Sequence, residues 1–231
     1  MIDLNKVVFE NVISNDTVYS LICSGTYKEN RVVIKTVILT SGIHYDVKDK
    51  VYKNGSTKIK EEIALQNFKQ DDGYKYKHTE FKEKKAMTPE AFMHEVNALK
   101  KLAEYKLTPT VHGEFICDKL YNIHYGFVVM DRADCSLKDV ILKRDINKKE
   151  KNLINDMIEN MHNNGIIHGD LKPSNIGVYL DDSSTVKSCI LFDCQKVKYK
   201  KDLDKKEFKL RIKKDLKNYK KHIKKNKKER K

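Results

Sequence analysis

Residues 148–193 constrain the fold of this chain more tightly than any other stretch. Leu153, Ile154, Met157, Ile158 and Met161 recur at helical spacing across Lys148–Asn163, and Gly165 follows at a position where a helix can end in a left-handed turn. After Ile166-Ile167 comes a polar octapeptide, His168-Gly169-Asp170-Leu171-Lys172-Pro173-Ser174-Asn175. Two short apolar runs, 176–180 and 189–192, then flank the turn residues Asp181-Asp182-Ser183-Ser184, and the second run leads into Asp193. A loop of this length returns the carboxylate of Asp170 and the amide of Asn175 to one side of a cleft. The plain alternative for the octapeptide is an ordinary Asp/Pro/Ser/Asn turn.

The residues before this region differ in character. KVVFENVI, TVYSLICS and RVVIKTVIL are rich in β-branched and aromatic residues and predict strands, separated by turns at Ser14-Asn15-Asp16 and Lys28-Glu29-Asn30. Residues 40–86 are dense in Lys, Glu, Asp and Tyr and read as a charged insertion with a short helix around 59–68. Thr88-Pro89-Glu90 is a helix start, and Phe92, Val96, Leu99 and Ala103 form one stripe on the helix it opens. Strands are predicted around 110–117 and 125–130, and a short helix over 136–143 with Ser136 as its cap. The fold class is α+β, sheet first and helices after. The expected domains are residues 1–134, 135–195 and a tail over 196–231.

Charge is divided along the same line. Of 47 basic and 33 acidic residues, 19 and 5 lie from Lys196 onward, so the tail carries the whole net charge of +14 and the remainder is neutral. A neutral body with a basic appendage is the pattern of an enzyme rather than of a nucleic-acid-binding body. Phe208, Ile212, Leu216, Tyr219 and Ile223 place an apolar stripe on the basic tail. That stripe is expected to dock on the preceding domain, over the helix 148–163, while the lysines face an acidic protein, a nucleic acid or an anionic surface. No apolar run reaches the roughly 18 residues that cross a bilayer, and no signal-peptide layout opens the chain. Five cysteines at irregular spacing, without a CxxC pair, indicate neither a disulfide framework nor a zinc site. These features point to a cytoplasmic, reducing compartment, with KKNKKERK at the end leaving a nuclear address open.

The octapeptide resembles the catalytic loop of the protein kinase family, H-R-D-L-x-x-x-N. The resemblance spans roughly residues 7–197 and implies a two-lobed kinase-like fold that uses ATP and Mg2+. By it, Asp170 is the catalytic base, Lys172 contacts the transferring phosphate as in serine/threonine-directed members, and Asn175 is a metal ligand. Asp193, in Asp193-Cys194-Gln195, stands where the family has its second metal-binding carboxylate. Lys35 in Val32-Val33-Ile34-Lys35 resembles the lysine strand of the family and implies a contact with the α- and β-phosphates. An exposed lysine on an edge strand is the alternative. Glu95 falls inside an apolar stripe and is expected to be the buried partner of Lys35, with Glu62 as the competitor. Backbone groups at Asp131 and Ala133 are expected to hold the adenine, unless that segment is a plain strand end.

Three departures shape what the resemblance implies. The phosphate-covering loop, 11–18, has no glycine, so backbone can approach phosphates less closely there. Gly169 replaces the arginine that usually receives a phosphorylated activation loop, as it does in RIO-like and antibiotic- or sugar-phosphorylating relatives. Only 38 residues follow Asp193, which implies a shortened C-lobe like that of minimal kinases from large DNA viruses and of bacterial effectors secreted into host cells. The expected activity is serine/threonine protein phosphorylation. A kinase of a small molecule or nucleic acid, and a pseudokinase that regulates a partner, are the alternatives.

Overall fold

Three runs of β-branched residues become β1 (Val7–Ser14), β2 (Ser20–Tyr27) and β3 (Asn30–Leu39). The computed structural model describes residues 6–14, 20–39, 58–59, 84–85, 87–120 and 123–230. Lys28 and Glu29, at φ 48° and 67°, form the two-residue turn between β2 and β3, with Tyr27 opposite Asn30. Two left-handed residues in such a turn match the right-handed twist of the strands. β4 (Lys58–Ile59) and β5 (Lys84–Lys85) pair with each other. The helix expected around 59–68 lies, beyond Ile59, outside the described residues, as does most of the charged insertion.

The helix start at Thr88-Pro89 is where the structure has it. α1 (Pro89–Ala103) begins with the Ala91 amide donating to Thr88 Oγ1 at 3.2 Å. Phe92, Val96, Leu99 and Leu102 are buried along it, while Ala103 is half-buried. β6 (Val111–Leu120) and β7 (Ile123–Asp131) complete a five-stranded antiparallel sheet in the order β1-β2-β3-β7-β6. The core on this sheet is built from Leu21, Ile34, Tyr125 and Phe127, with Phe115 stacked on Phe127 at 4.4 Å between ring centres.

The later elements are β8 (Cys135–Ser136), α2 (Leu137–Lys143), α3 (Lys148–Asn163), β9 (Ile166–Ile167), β10 (Ile176–Leu180), β11 (Val186–Leu191), β12 (Lys198–Tyr199) and α4 (Lys205–Glu229). They make an antiparallel sheet β11-β10-β8 and a pair β12-β9. The chain divides into two units, Met1–His94 with Val111–Arg132, and Glu95–Thr110 with Ala133–Lys231. The fold is thus mixed α+β with antiparallel sheets, and the basic tail helix belongs to the second unit. No helix among the described residues is long and apolar enough to cross a membrane.

The tail helix docks, but not where the sequence pattern suggested. α4 packs on α2, β9 and the turn Pro173–Asn175, whereas α3 covers its apolar face with β11 and β9. The short strands already bury α3, so the tail is left to brace the loop side of the unit. Of the predicted stripe only Phe208 is buried, and Ile212, Leu216, Tyr219 and Ile223 are half-buried. The deepest residues on the docked face are polar: Asp215 and Asn226.

Glu150 ties the second unit together. It closes a capping box at the start of α3, where its Oε2 accepts the Asn147 amide at 2.8 Å and Asn147 Oδ1 accepts the Glu150 amide at 2.9 Å. Its Oε1 accepts the Val186 amide of β11 at 2.9 Å, and Arg144 binds both oxygens, at 2.9 and 2.5 Å. The Arg144 hydrogen bonds hold the buried carboxyl down at about 2, well below the usual 4.5 of a glutamate. A carboxyl lowered on folding contributes stability that is complete above pH 4.5 and is lost as pH falls through about 2. Glu150→Gln keeps the shape and removes the charge. Its deficit in melting temperature against the parent protein should be constant above about pH 5 and shrink between pH 4.5 and 2. A deficit that does not change with pH would contradict this role.

Candidate active site

The octapeptide hangs between β9 and β10, and a buried histidine sets its shape. Phe192 O can only accept, so His168 Nε2–H donates to it at 2.8 Å, and Nδ1 accepts the Asp170 amide at 3.3 Å. Burial lowers the pKa of His168, which keeps the imidazole neutral and preserves that tautomer. One ring therefore fixes the backbone of Asp170 against the end of β11.

The carboxylate of Asp170 is about one-quarter exposed and has two lysines around it. Lys172 Nζ donates to Oδ2 at 2.9 Å, and Lys196 Nζ stands 3.8 Å from the same oxygen. Asn175 is buried at the end of the turn Pro173–Asn175, and its Nδ2 donates to the Asp170 carbonyl at 3.0 Å. That bond fixes the amide and leaves Oδ1 as its acceptor. The Phe192 amide donates to Asn175 O at 2.8 Å, one step beyond the Ile176–Leu191 register pair. Asn175 and Asp193 thus border adjoining strand ends. Asp193 has φ 56°, a left-handed conformation that Asp tolerates better than most residues. Asp170, Lys172 and Asn175 lie on one loop, and Asp193 follows the end of β11, which is paired beside Asn175.

Gly169 has a local reason to be glycine. Its φ is +81°, and a Cβ there would lie 2.5 Å from Lys196 O and 2.9 Å from Lys196 Cβ. The loop is threaded so close to the turn after Asp193 that no side chain fits. Gly169→Ala should therefore lower the melting temperature by several degrees, since left-handed backbone costs an L-residue about 1–2 kcal/mol before any clash. Unchanged melting would show that the loop can swing clear of Lys196.

The sequence pattern missed the support beneath this loop, which comes from α4. Asp215 Oδ2 accepts the His168 amide at 2.9 Å and Oδ1 accepts the Gly169 amide at 3.1 Å. Asn218 Nδ2 donates to Leu171 O at 3.0 Å. His162 Nε2 lies 3.5 Å from Asp215 Oδ2 without hydrogen-bond geometry. The signal was present: Asp215 sits seven residues after Phe208, on the docked stripe of a helix whose other acids face outward or cap its start.

The remaining candidates lie apart in sequence. Lys35 is buried on β3, opposite Ile22 and Val128. Its strand is flanked on both sides, so the exposed edge-strand alternative does not hold. Glu95 is 2% exposed on α1, as its position in the apolar stripe required, and Glu62 lies outside the described residues. Asp131 ends β7, and its Oδ1 meets His112 Nε2 at 2.6 Å. The Arg132 amide donates to Arg31 O at 3.2 Å, and Ala133 is buried at the start of the second unit's long segment. Of the glycine-free turn, residues 11–14 belong to β1 and 15–18 lie outside the described residues.

Cys23, Cys135, Cys189 and Cys194 are not joined in disulfides. Burial pushes the Cys23 thiol up to about 11 and the Cys189 thiol up to about 12, so neither forms a nucleophilic thiolate near neutral pH. No protein-family model matches the chain, and a search of curated proteins finds no match.

Proposed function

We propose that this chain is a protein-kinase-like phosphotransferase with a shortened second lobe, which moves the γ-phosphoryl group of ATP to a serine or threonine hydroxyl. One observation carries the reading. A part-exposed carboxylate, Asp170, is paired with Lys172 at 2.9 Å, and its own carbonyl orients the amide of Asn175 at 3.0 Å. That combination is what in-line phosphoryl transfer asks of a protein: a proton acceptor beside an ammonium, with hard oxygen donors next to them.

Asp170 Oδ1 or Oδ2 accepts the proton of the incoming hydroxyl. Lys172 holds the carboxylate in place and offers positive charge where the transferring phosphoryl group passes. Lys196 adds a second cation on the same side. The donor set fits magnesium, since Asn175 Oδ1 and the Asp193 carboxylate are both oxygen ligands of the kind that ion prefers. Bound there, magnesium would offset the charge of the phosphates. Lys35, Glu95, Asp131 and Ala133 are assigned to the nucleotide on the strength of the resemblance, with buried Lys35 serving the phosphates.

The test is transfer of labelled phosphate from ATP and magnesium by the full chain, with a Ser/Thr-containing protein, a nucleic acid and small hydroxyl compounds as separate acceptors. Label on protein serine or threonine is the expected result. Transfer only to another acceptor would replace the substrate class, and nucleotide binding without transfer would favour a regulatory binding module. The absence of glycine from segment 11–18 is the feature that would then explain the lost activity.

A further inference from the structure

α4 has two opposite faces. At 100° per residue, Phe208, Asp215, Tyr219 and Asn226 fall on the docked side, and the lysines between 213 and 228 centre about 180° away. Lys213, Lys217, Lys220, Lys221, Lys224 and Lys228 are all exposed and line one groove, together with Lys225, which also reaches Glu229 at 3.5 Å. They stand at i, i+3 and i+4, where like charges repel. The two arginines of the helix region are engaged elsewhere, Arg211 with Glu207 and Arg230 with Asp145. The face is therefore a row of point charges without forked donors.

Its spacing identifies the partner. Fifteen residues at a rise of 1.5 Å span about 22 Å, so the seven lysines present roughly one charge per 3–4 Å of helix axis. A nucleic-acid strand presents one phosphate charge per about 3.4 Å. A membrane-binding helix needs a run of apolar residues on the face it inserts, and this face offers only the exposed Leu210 at one end and the half-buried Leu216 at its edge, with lysines along the rest. A second copy of the chain would bring the same positive face.

We propose that the outer face of α4 binds the phosphate backbone of nucleic acid, without reading its sequence. Binding is a matter of counter-ion release, so it depends steeply on salt and little on base composition. The inference rests on the tail helix alone and holds whatever the catalytic loop does.

The experiment is fluorescence anisotropy of the full chain with labelled mixed-sequence single-stranded and duplex DNA. Parallel titrations use polyglutamate and phosphatidylcholine vesicles containing about one-third phosphatidylserine. With six phosphates engaged, affinity should fall about 300-fold for single strands and about 2,000-fold for duplex between about 50 and 200 mM salt. Changing Lys213, Lys217, Lys220, Lys221, Lys224 and Lys228 to Gln should weaken DNA binding more than tenfold and flatten that salt dependence, with melting equal to or above that of the parent, since the like charges no longer repel. Changing the same six to Arg should preserve binding. Changing exposed Lys148, Lys149 and Lys151 to Gln should alter it by less than threefold. Equal binding by the six-Gln variant, or tighter binding to polyglutamate or vesicles than to DNA at matched charge, would overturn the proposal.

Discussion

Asp170→Asn is expected to reduce phosphoryl transfer by about 10²–10⁴-fold, the usual contribution of a positioned general base. The substitution keeps the size of the side chain and removes its ability to take a proton. Folding should be spared, because Asp170 lies at the surface and its partners Lys172 and Lys196 remain solvated without it. Asp193→Asn should produce a loss of similar order, by withdrawing the charged ligand that the proposed function assigns to magnesium. Asn is the better choice there than Ala, because position 193 has φ 56° and Asn accepts that conformation. Transfer rates, melting temperatures and nucleotide affinity measured on the same preparations separate the outcomes. Activity near that of the parent in either variant would remove that residue from the mechanism. Loss of activity with an equal loss of melting temperature would point to the fold instead.

Much of the framework was legible because local signals were strong. The run Lys148–Asn163 has helical spacing and a terminating Gly165, and the structure contains that helix with those bounds. Thr88-Pro89 and Ser136 likewise start helices where they stand. The strands were legible in kind, and β3 became central because β7 returns beside it, a long-range pairing that alternation alone does not reveal. Within the candidate site the octapeptide was legible as a unit, since a short loop has few ways to bring Asp170 and Asn175 together. The roles of His168, Lys196 and Asp215 were not. Each depends on a partner at least 24 residues away in sequence: Phe192 O, Asp170 and the His168 and Gly169 amides. The docking site of α4 was misjudged for a related reason. Periodicity shows that a helix has an apolar side but not which surface is still open to receive it.

Asp215 is where that hidden support can be measured. Asp215→Ala should lower the melting temperature by about 2–12 °C. The substitution leaves the buried His168 amide without its acceptor, at about 1–3 kcal/mol, while the Gly169 amide, on an exposed residue, can turn to water. In a chain of this size 1 kcal/mol corresponds to roughly 2–4 °C. Water is poorly placed to substitute at His168, which is enclosed. Asp215→Asn keeps one carbonyl oxygen for one amide and turns an NH2 toward the other, so it should fall between Ala and the parent protein. Activity gives the second reading. Asp170 hangs from the same backbone, one residue after Gly169, so a displaced loop moves the proton acceptor while leaving the nucleotide candidates on β3 and α1 in place. Assayed well below its melting point, Asp215→Ala should therefore lose kcat with little change in KM for ATP. Parent-like melting would show that the two amides find other acceptors. Parent-like kcat in a destabilised variant would show that α4 braces the unit without setting the position of Asp170.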